Sequence, residues 1–232
     1  MAIRLEKGQN TQLYLDVFHV GLGWDVNEDE SSLYEFDLDV SAFMIGKNGK
    51  VPKDEYMVFY NSDPYRVAPD NLSKLEPQNP TKYPAYTDKE GKFHSDYDHW
   101  REKTRPISPD YSVIGSIDDM DGQTSEDGDD ETMDINLSKV PSEIKEIIIT
   151  VSIYDYQKRR QNFGQVERAY VRLYKPGQSE SEGEYIYDLT EDFSTCASVE
   201  FCRLYRKDGG WKIQALGTGH KGGLEELVNK YV

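Results

Sequence analysis

Two stretches of this chain carry acid without base. Residues 8–46 contain no Lys or Arg, yet Asp16, Asp25, Glu28, Asp29, Glu30, Glu35, Asp37 and Asp39 all fall there. Residues 106–138 repeat the pattern with Asp110, Asp118, Asp119, Asp121, Glu126, Asp127, Asp129, Asp130, Glu131 and Asp134. Together they hold 18 of the 43 acidic residues. A charge run ordinarily marks a solvated loop. Carboxylates gathered from several loops, however, repel one another unless a cation neutralises them. Asp37 and Asp39 alternate along one strand, so both side chains leave the same face about 7 Å apart. Gly128 precedes Asp129-Asp130-Glu131, and a glycine there allows the sharp turn that wraps oxygens around an ion. Gly21-Leu22-Gly23-Trp24-Asp25 reads as a second glycine turn ending in an aspartate. Calcium takes 6–8 oxygen ligands, a number such a set can supply, whereas magnesium keeps more of its waters.

Other chemistries find less support. The histidines at 19, 94, 99 and 220 and the cysteines at 196 and 202 show no zinc spacing. His94 and His99, with Asp96 and Asp98 between them, read as a surface loop. Nor is there an EF-hand: aligning Asp119-Met120-Asp121-Gly122 to that loop places Ile117 at the first ligand position and Gly128 at the twelfth. The chain has no phosphate loop, no G-x-G-x-x-G opening a helix and no G-x-S-x-G elbow. Gly217-Thr218-Gly219-His220-Lys221-Gly222-Gly223 reads as a tight turn between strand and helix, with an anion cradle as the alternative. Paired carboxylates can do acid–base work, which keeps a divalent-metal-dependent hydrolase or transferase as the alternative to a non-catalytic binding protein.

The elements that position these residues are strands. Tyr34, Phe36, Leu38 and Val40 share one face of a predicted strand, and Glu35, Asp37 and Asp39 share the other. Further strands are expected at Leu13–Val20, Tyr56–Tyr60, Met133–Leu137, Ile147–Tyr154, Ala169–Tyr174, Tyr185–Leu189, Val199–Tyr205 and Trp211–Leu216. Such short strands, parted by Gly, Asn and Asp turns, predict a mainly β, antiparallel-rich β-sandwich with a few short helices. One helix is legible: Leu224, Leu227, Val228 and Tyr231 form an apolar stripe at helical spacing behind Gly222-Gly223. Residues 63–109 hold 7 of the 10 prolines and few aliphatic residues, and read as an irregular insertion in a single domain spanning 1–232.

Composition narrows the partners. A net charge of -16 excludes a phosphate-tracking nucleic-acid surface and direct attraction to anionic lipid. Aromatics at 12% predict a packed core. No apolar run approaches a membrane span, and the polar start at Met1–Glu6 lacks a signal-peptide core. Cys196 and Cys202, six residues apart on an expected strand, stand about 20 Å apart and so remain thiols. A cytoplasmic location is expected.

Seven motifs, in order and at similar spacing over nearly the whole chain, resemble the TerD-type tellurium-resistance and stress-response domain. They are Gly21–Asp25, Asp37–Ser41, Val58–Asn61, Gly128–Glu131, Ile153–Asp155, Gln161–Val166 and Glu191–Thr195. The resemblance implies a calcium-binding β-sandwich without a securely attached enzymatic activity. It also implies that other proteins are the partners, including members of the same resistance system and membrane-associated complexes that would hold it peripherally at a membrane. It places Asp25, Asp37, Asp39, Asn61, Asp118, Gly128, Asp129, Asp130 and Glu131 at the Ca2+ positions. The family's Gly-Asp-Asn-x-Thr-Gly loop reads here Ile117-Asp118-Asp119-Met120-Asp121-Gly122, with Asp118 and Gly122 kept. Asp155 and Asp192 are expected to be structural, capping a turn or pairing with Arg159 or Arg160.

Overall fold

The computed structural model describes residues 2–25, 33–60, 62, 86–87, 93–94, 105–116, 128–178, 184–188 and 193–232. Strands dominate: β1 Ile3–Arg4, β2 Asn10–Gln12, β3 Val17–Gly23, β4 Leu38–Ile45, β5 Met57–Val58, β6 Tyr86–Thr87, β7 Phe93–His94, β8 Val113–Ile114, β9 Glu131–Asn136, β10 Glu146–Ile153, β11 Tyr170–Tyr174, β12 Tyr185–Asp188, β13 Ser198–Lys207 and β14 Gly210–His220. Among the described residues there are two α-helices, α1 at Tyr156–Arg159 between β10 and β11 and α2 at Leu224–Tyr231 after β14. One six-stranded sheet, A, runs β1-β12-β11-β3-β9-β8, and the other, B, runs β2-β14-β13-β10-β4-β5. Neighbouring strands are antiparallel throughout both, except that β1 lies parallel to β12. The expected mainly β sandwich with a C-terminal helix is the fold observed.

Strand β10 shows why the sheets face each other. Its β-branched run puts Ile147, Ile149, Val151 and Ile153 on one face, all buried against Val20, Leu22, Met133 and Ile135 of sheet A in one apolar core. Each such residue contributes about 1.5–3 kcal/mol by leaving water. The opposite face of sheet B is not left to solvent. Leu227 and Tyr231 of α2 pack on Phe43, Ile45, Met57 and Ile148 in a second, smaller apolar layer. That is the stripe read from residues 224–231.

Several boundaries differ from expectation, including the strands expected at Leu13–Val20 and Tyr56–Tyr60, which are observed at Val17–Gly23 and Met57–Val58. Residues 33–37 are irregular, and the strand expected at Tyr34–Val40 begins only at Leu38. The reason lies in the backbone acceptors. Gln161 Nε2 donates to the carbonyls of Tyr34 and Glu35, and Trp24 Nε1 donates to that of Phe36, so side chains take bonds that a strand partner would otherwise make. Gly21 and Gly23 lie inside β3 rather than in a turn. Gly217–His220 continue β14 opposite Ser198–Glu200, and the turn to the helix is only Lys221–Gly223. Within the proline-rich span, residues 63–85, 88–92 and 95–104 lie outside the described set. Tyr86–Thr87 pair with Phe93–His94 as a ribbon. From Arg105 onward the span belongs to sheet A, since Ile107 is buried and bridged to Ile114, and Gly115 N donates to the carbonyl of Pro106.

Candidate functional site

The antiparallel pairings bring the end of β3 and the starts of β4 and β9 to one end of the sandwich. Carboxylates stitch them together there. Glu131 shares its strand face with the core residues Met133 and Ile135, and its Oε2 accepts from the Val40 amide of the opposite sheet at 2.7 Å. Asp130 Oδ2 accepts from the Trp24 amide at 3.0 Å, while its own N–H donates to the Leu22 carbonyl. Both side chains are buried. They therefore act as polar rivets between elements that would otherwise leave amide groups bare.

Asp129 faces the other way, onto the outer surface of sheet A. Its Oδ1 lies 2.8 Å from Arg172 Nε, and neither side chain is more than 7% exposed. The Tyr170 hydroxyl donates to the Gly128 carbonyl at 2.8 Å and reaches Asp129 Oδ1 at 3.3 Å. The Arg172 guanidinium lies 5.4 Å from the Tyr170 ring centre and 5.2 Å from that of Tyr174. Burial, reinforced by the Asp129 charge, pushes the Tyr170 phenol far above its ordinary range and that of Tyr174 up to about 12. The glycines of β3 make this packing possible. A Cβ on Gly21 would fall 1.9 Å from Asp129 Oδ2, and one on Gly23 would fall 2.4 Å from the Tyr170 hydroxyl.

On the outer face of sheet B, Asp37 Oδ2 accepts from Arg159 at 2.9 Å with both side chains largely buried. The turn that delivers Arg159 starts at Asp155, whose φ of 47° is left-handed, a conformation aspartate tolerates better than most residues. Asp155 itself pairs with Lys158 at 3.5 Å. The expected pairing of Asp155 with Arg159 or Arg160 is thus corrected, because the helical turn of α1 aims Arg159 at Asp37. Asp192 lies outside the described residues. Asp39 is buried beside Ser152, its cross-strand neighbour on β10. Asp25 sits at the rim and pairs with Arg168 at 2.7 Å, where solvent makes an ion pair weak. Asn61 and Asp118 lie outside the described residues.

Six of the expected ligands, Asp25, Asp37, Asp39, Asp129, Asp130 and Glu131, therefore share one end of the fold, along with Gly128. They divide among the outer faces of the two sheets, the interior between them and the rim. Among the described residues, no three His, Cys, Asp or Glu side chains gather into a metal-holding group. Nearby lie oxygen atoms that the sequence reading passed over. Ser41 Oγ and Thr150 Oγ1 are buried without a hydrogen-bond partner among the described residues, and they belong to paired positions on the face that carries Asp39. Gln161 Oε1 is likewise buried and unpartnered, while its amide nitrogen bonds the backbone just before Asp37. Arg172 was also missed. Its signal was present: Tyr170-Val171-Arg172-Leu173-Tyr174 alternates polar and apolar residues, with the arginine flanked by tyrosines on one face.

The TerD domain matches residues 1–89 and 87–231 of the chain. The chain belongs to the TerD family. It is 36% identical over 236 residues to the tellurium resistance protein TerD of Serratia marcescens, a match covering all of this chain and 97% of the relative. To general stress protein 16U of Bacillus subtilis it is 34% identical over 237 residues, covering all of this chain and 97% of that one. Among solved structures, a homologue of telluride resistance protein (TerD) from Streptomyces coelicolor A3(2) superposes with a TM-score of 0.57 at 15% identity, over 92% of this chain and 95% of the other. A second crystal structure, of a protein of unknown function, reaches a TM-score of 0.62 at 15% identity, covering 94% and 98%. At that identity the likeness concerns the fold alone. This TerD-family chain thus has the tellurium-resistance and general-stress proteins as its relatives, and the sandwich as the scaffold of its acidic end.

Proposed function

We propose that this TerD-family chain is a calcium-binding accessory of the tellurium-resistance and stress response, acting without catalysis by binding other proteins. The observation that carries the reading is the burial of five carboxylates, Asp37, Asp39, Asp129, Asp130 and Glu131, at one end of the sandwich. Carboxylates are rarely buried in such number unless cations or hydrogen-bond donors hold them. Arg159 and Arg172 answer two of them. Asp39 shares its sheet face with the buried hydroxyls of Ser41 and Thr150, which are hard oxygen donors. That donor chemistry fits calcium and does not fit zinc or copper. Asp39 would hold the ion on the outer face of sheet B, with Asp118 and Asn61 as further oxygen donors. The ion would bring positive charge where the fold concentrates negative charge, and so tie loop order to calcium concentration.

No helix among the described residues is long and apolar enough to cross a membrane. The proposed setting is cytoplasmic, with any membrane association made through partner proteins of the same resistance system. The partners are proteins and not nucleic acids, since a chain of net charge -16 repels phosphate backbones.

Calorimetric titration of calcium into chelator-stripped protein tests the reading. Saturable binding is expected, with a stability gain of about 2.7 kcal/mol at 100 times the dissociation constant. Asp39→Asn should blunt both. Unchanged melting after verified metal removal, together with no heat of binding, would sink the calcium assignment.

A further inference from the structure

On the outer face of sheet B, a cleft of about 330 Å³ opens where β10 ends and α2 begins. Three carboxylates, Asp39, Asp155 and Glu225, and three tyrosines, Tyr60, Tyr154 and Tyr156, line it. Among the described residues, no Lys, Arg or His lines it. The volume lies at the lower end of the range for small-ligand sites, enough for one long side chain. Tyr60 and Tyr154 meet edge to face at 5.6 Å between centroids and are 36% and 41% exposed. Aromatic side chains so presented, with polar neighbours, are typical of recognition surfaces.

We infer that this cleft is the docking site for an arginine side chain on a basic segment of a partner protein. The inference deepens the protein-interaction reading above and rests on it. Charge selects the sign of the occupant: beyond Asp39, assigned above to the ion, the cleft presents Asp155 and Glu225 on a chain whose net charge is -16. The N-terminus of α2 points its partial positive charge this way. The first turn of the helix answers it internally with Glu225 and Glu226, and Glu226 Oε2 accepts the Gly222 N–H. The geometry also selects guanidinium over ammonium, because a planar cation can lie on a tyrosine face and meet a carboxylate edge-on at the same time. The protein already uses this contact, with Arg172 over Tyr170 and Tyr174 beside Asp129, and again next to the cleft. The Arg159 guanidinium lies 5.1 Å from the centre of the Tyr154 ring. An incoming arginine would displace Lys158 from Asp155, an exposed pair at 3.5 Å that offers little resistance.

The test titrates acetyl-Gly-Arg-Gly-amide, and its neutral citrulline analogue, into isotope-labelled full-length protein with calcium and with chelator. Saturable shifts at Tyr60, Tyr154–Gln157 and Gly223–Glu225 are expected with arginine alone. Asp155→Asn combined with Glu225→Gln should weaken binding by about fivefold or more, and Tyr154→Leu by about threefold. Both carboxylates are exposed, and Asn tolerates the left-handed backbone at 155, so the variants keep the fold. Equal shifts with citrulline, no shifts at all, or perturbation of the same residues by inorganic phosphate in place of the peptide would each overturn the proposal. Affinity capture of partners with wild-type and doubly substituted protein separates the two readings. Partners retained by the variant end the cleft proposal and leave protein interaction standing, whereas loss of every partner and of peptide binding from wild type ends both.

Discussion

Replacing Gly21 by alanine adds one methyl group to a strand, a change that ordinarily stabilises. At a compatible backbone angle it removes disorder from the unfolded chain and gains about 0.4–1 kcal/mol. Gly21 has such an angle, since it is absent from the left-handed positions. Its Cβ, however, would sit 1.9 Å from Asp129 Oδ2 and 2.2 Å from Cγ. No heavy atoms approach so closely, so the carboxylate must swing away. Its side chain is completely buried and lies 2.8 Å from the guanidinium of Arg172, itself 7% exposed. Parting a buried ion pair while both charges stay buried costs about 3–5 kcal/mol. The net expectation for Gly21→Ala is a loss of about 2–4 kcal/mol, or roughly 5–15 °C in melting temperature for a chain of this size. Urea denaturation of four proteins checks it: wild type, Gly21→Ala, Asp129→Ala and the double variant. Asp129→Ala is destabilising alone, because it strands Arg172. Once the carboxylate is gone the methyl has room, and Gly21→Ala should be neutral or mildly stabilising in that background. A coupling of about 2 kcal/mol or more is therefore expected. A cost below about 0.5 kcal/mol in wild type, or the same cost in both backgrounds, would refute the explanation.

Three further outcomes are expected. Burial and the Asp129 charge hold the proton on Tyr174 up to about pH 12, and Tyr170 and Tyr231 are raised as well, so these phenols stay neutral where unfolded ones ionise. The folded state then binds more protons than the unfolded state above pH 10, and stability should fall as pH rises from 10 toward 12, read by tyrosinate absorbance beside a melting series. Of the two free cysteines, Cys202 is fully buried and desolvation raises its thiol far above the usual range, so a thiol reagent should label Cys196 first and Cys202 only on unfolding. Glu200, buried beneath α2, accepts from the Tyr231 hydroxyl at 2.8 Å, from His220 Nε2 at 2.7 Å and from Lys230. Glu200→Ala should loosen the helix, with faster amide exchange at Leu227–Tyr231 than in the β10 core. Equal protection in variant and wild type would count against the latch.

The parts of the fold that were legible are those whose cause is local. The β-branched run of β10 marks a strand buried on both faces, the helical stripe at 224–231 marks one face meeting one apolar layer, and both appear in the structure. Residues 34–37 alternate just as well, yet form no strand, because their acceptors are taken by Gln161 and Trp24 from elsewhere in the chain. The acidic end was legible as a cluster in sequence, and the structure spreads six of its members over different faces at that end. Its internal pairing was not legible. Arg159 and Arg172 stand far from Asp37 and Asp129 in sequence, and only the sandwich joins them. Gly21 and Gly23 look like turn residues because glycine usually serves that need, whereas here they clear space for Asp129 and Tyr170.

The two amino-terminal strands bear on the order of manufacture. Ile3 pairs with Tyr185 in one sheet, and Gln12 with Lys212 in the other. At about 5–20 residues per second, a ribosome needs on the order of 10–40 s to produce the first partner after the strand that awaits it. The second comes later still. Through that interval Leu5, Leu13 and Leu15, buried in the finished molecule, have no partner strand to lie beside. A segment made before either of its partners is thus seated only after both, and it fastens to both sheets. A chain whose translation stops before Tyr185 would lack β12, β13 and β14, and with them every strand on which β1 and β2 fasten.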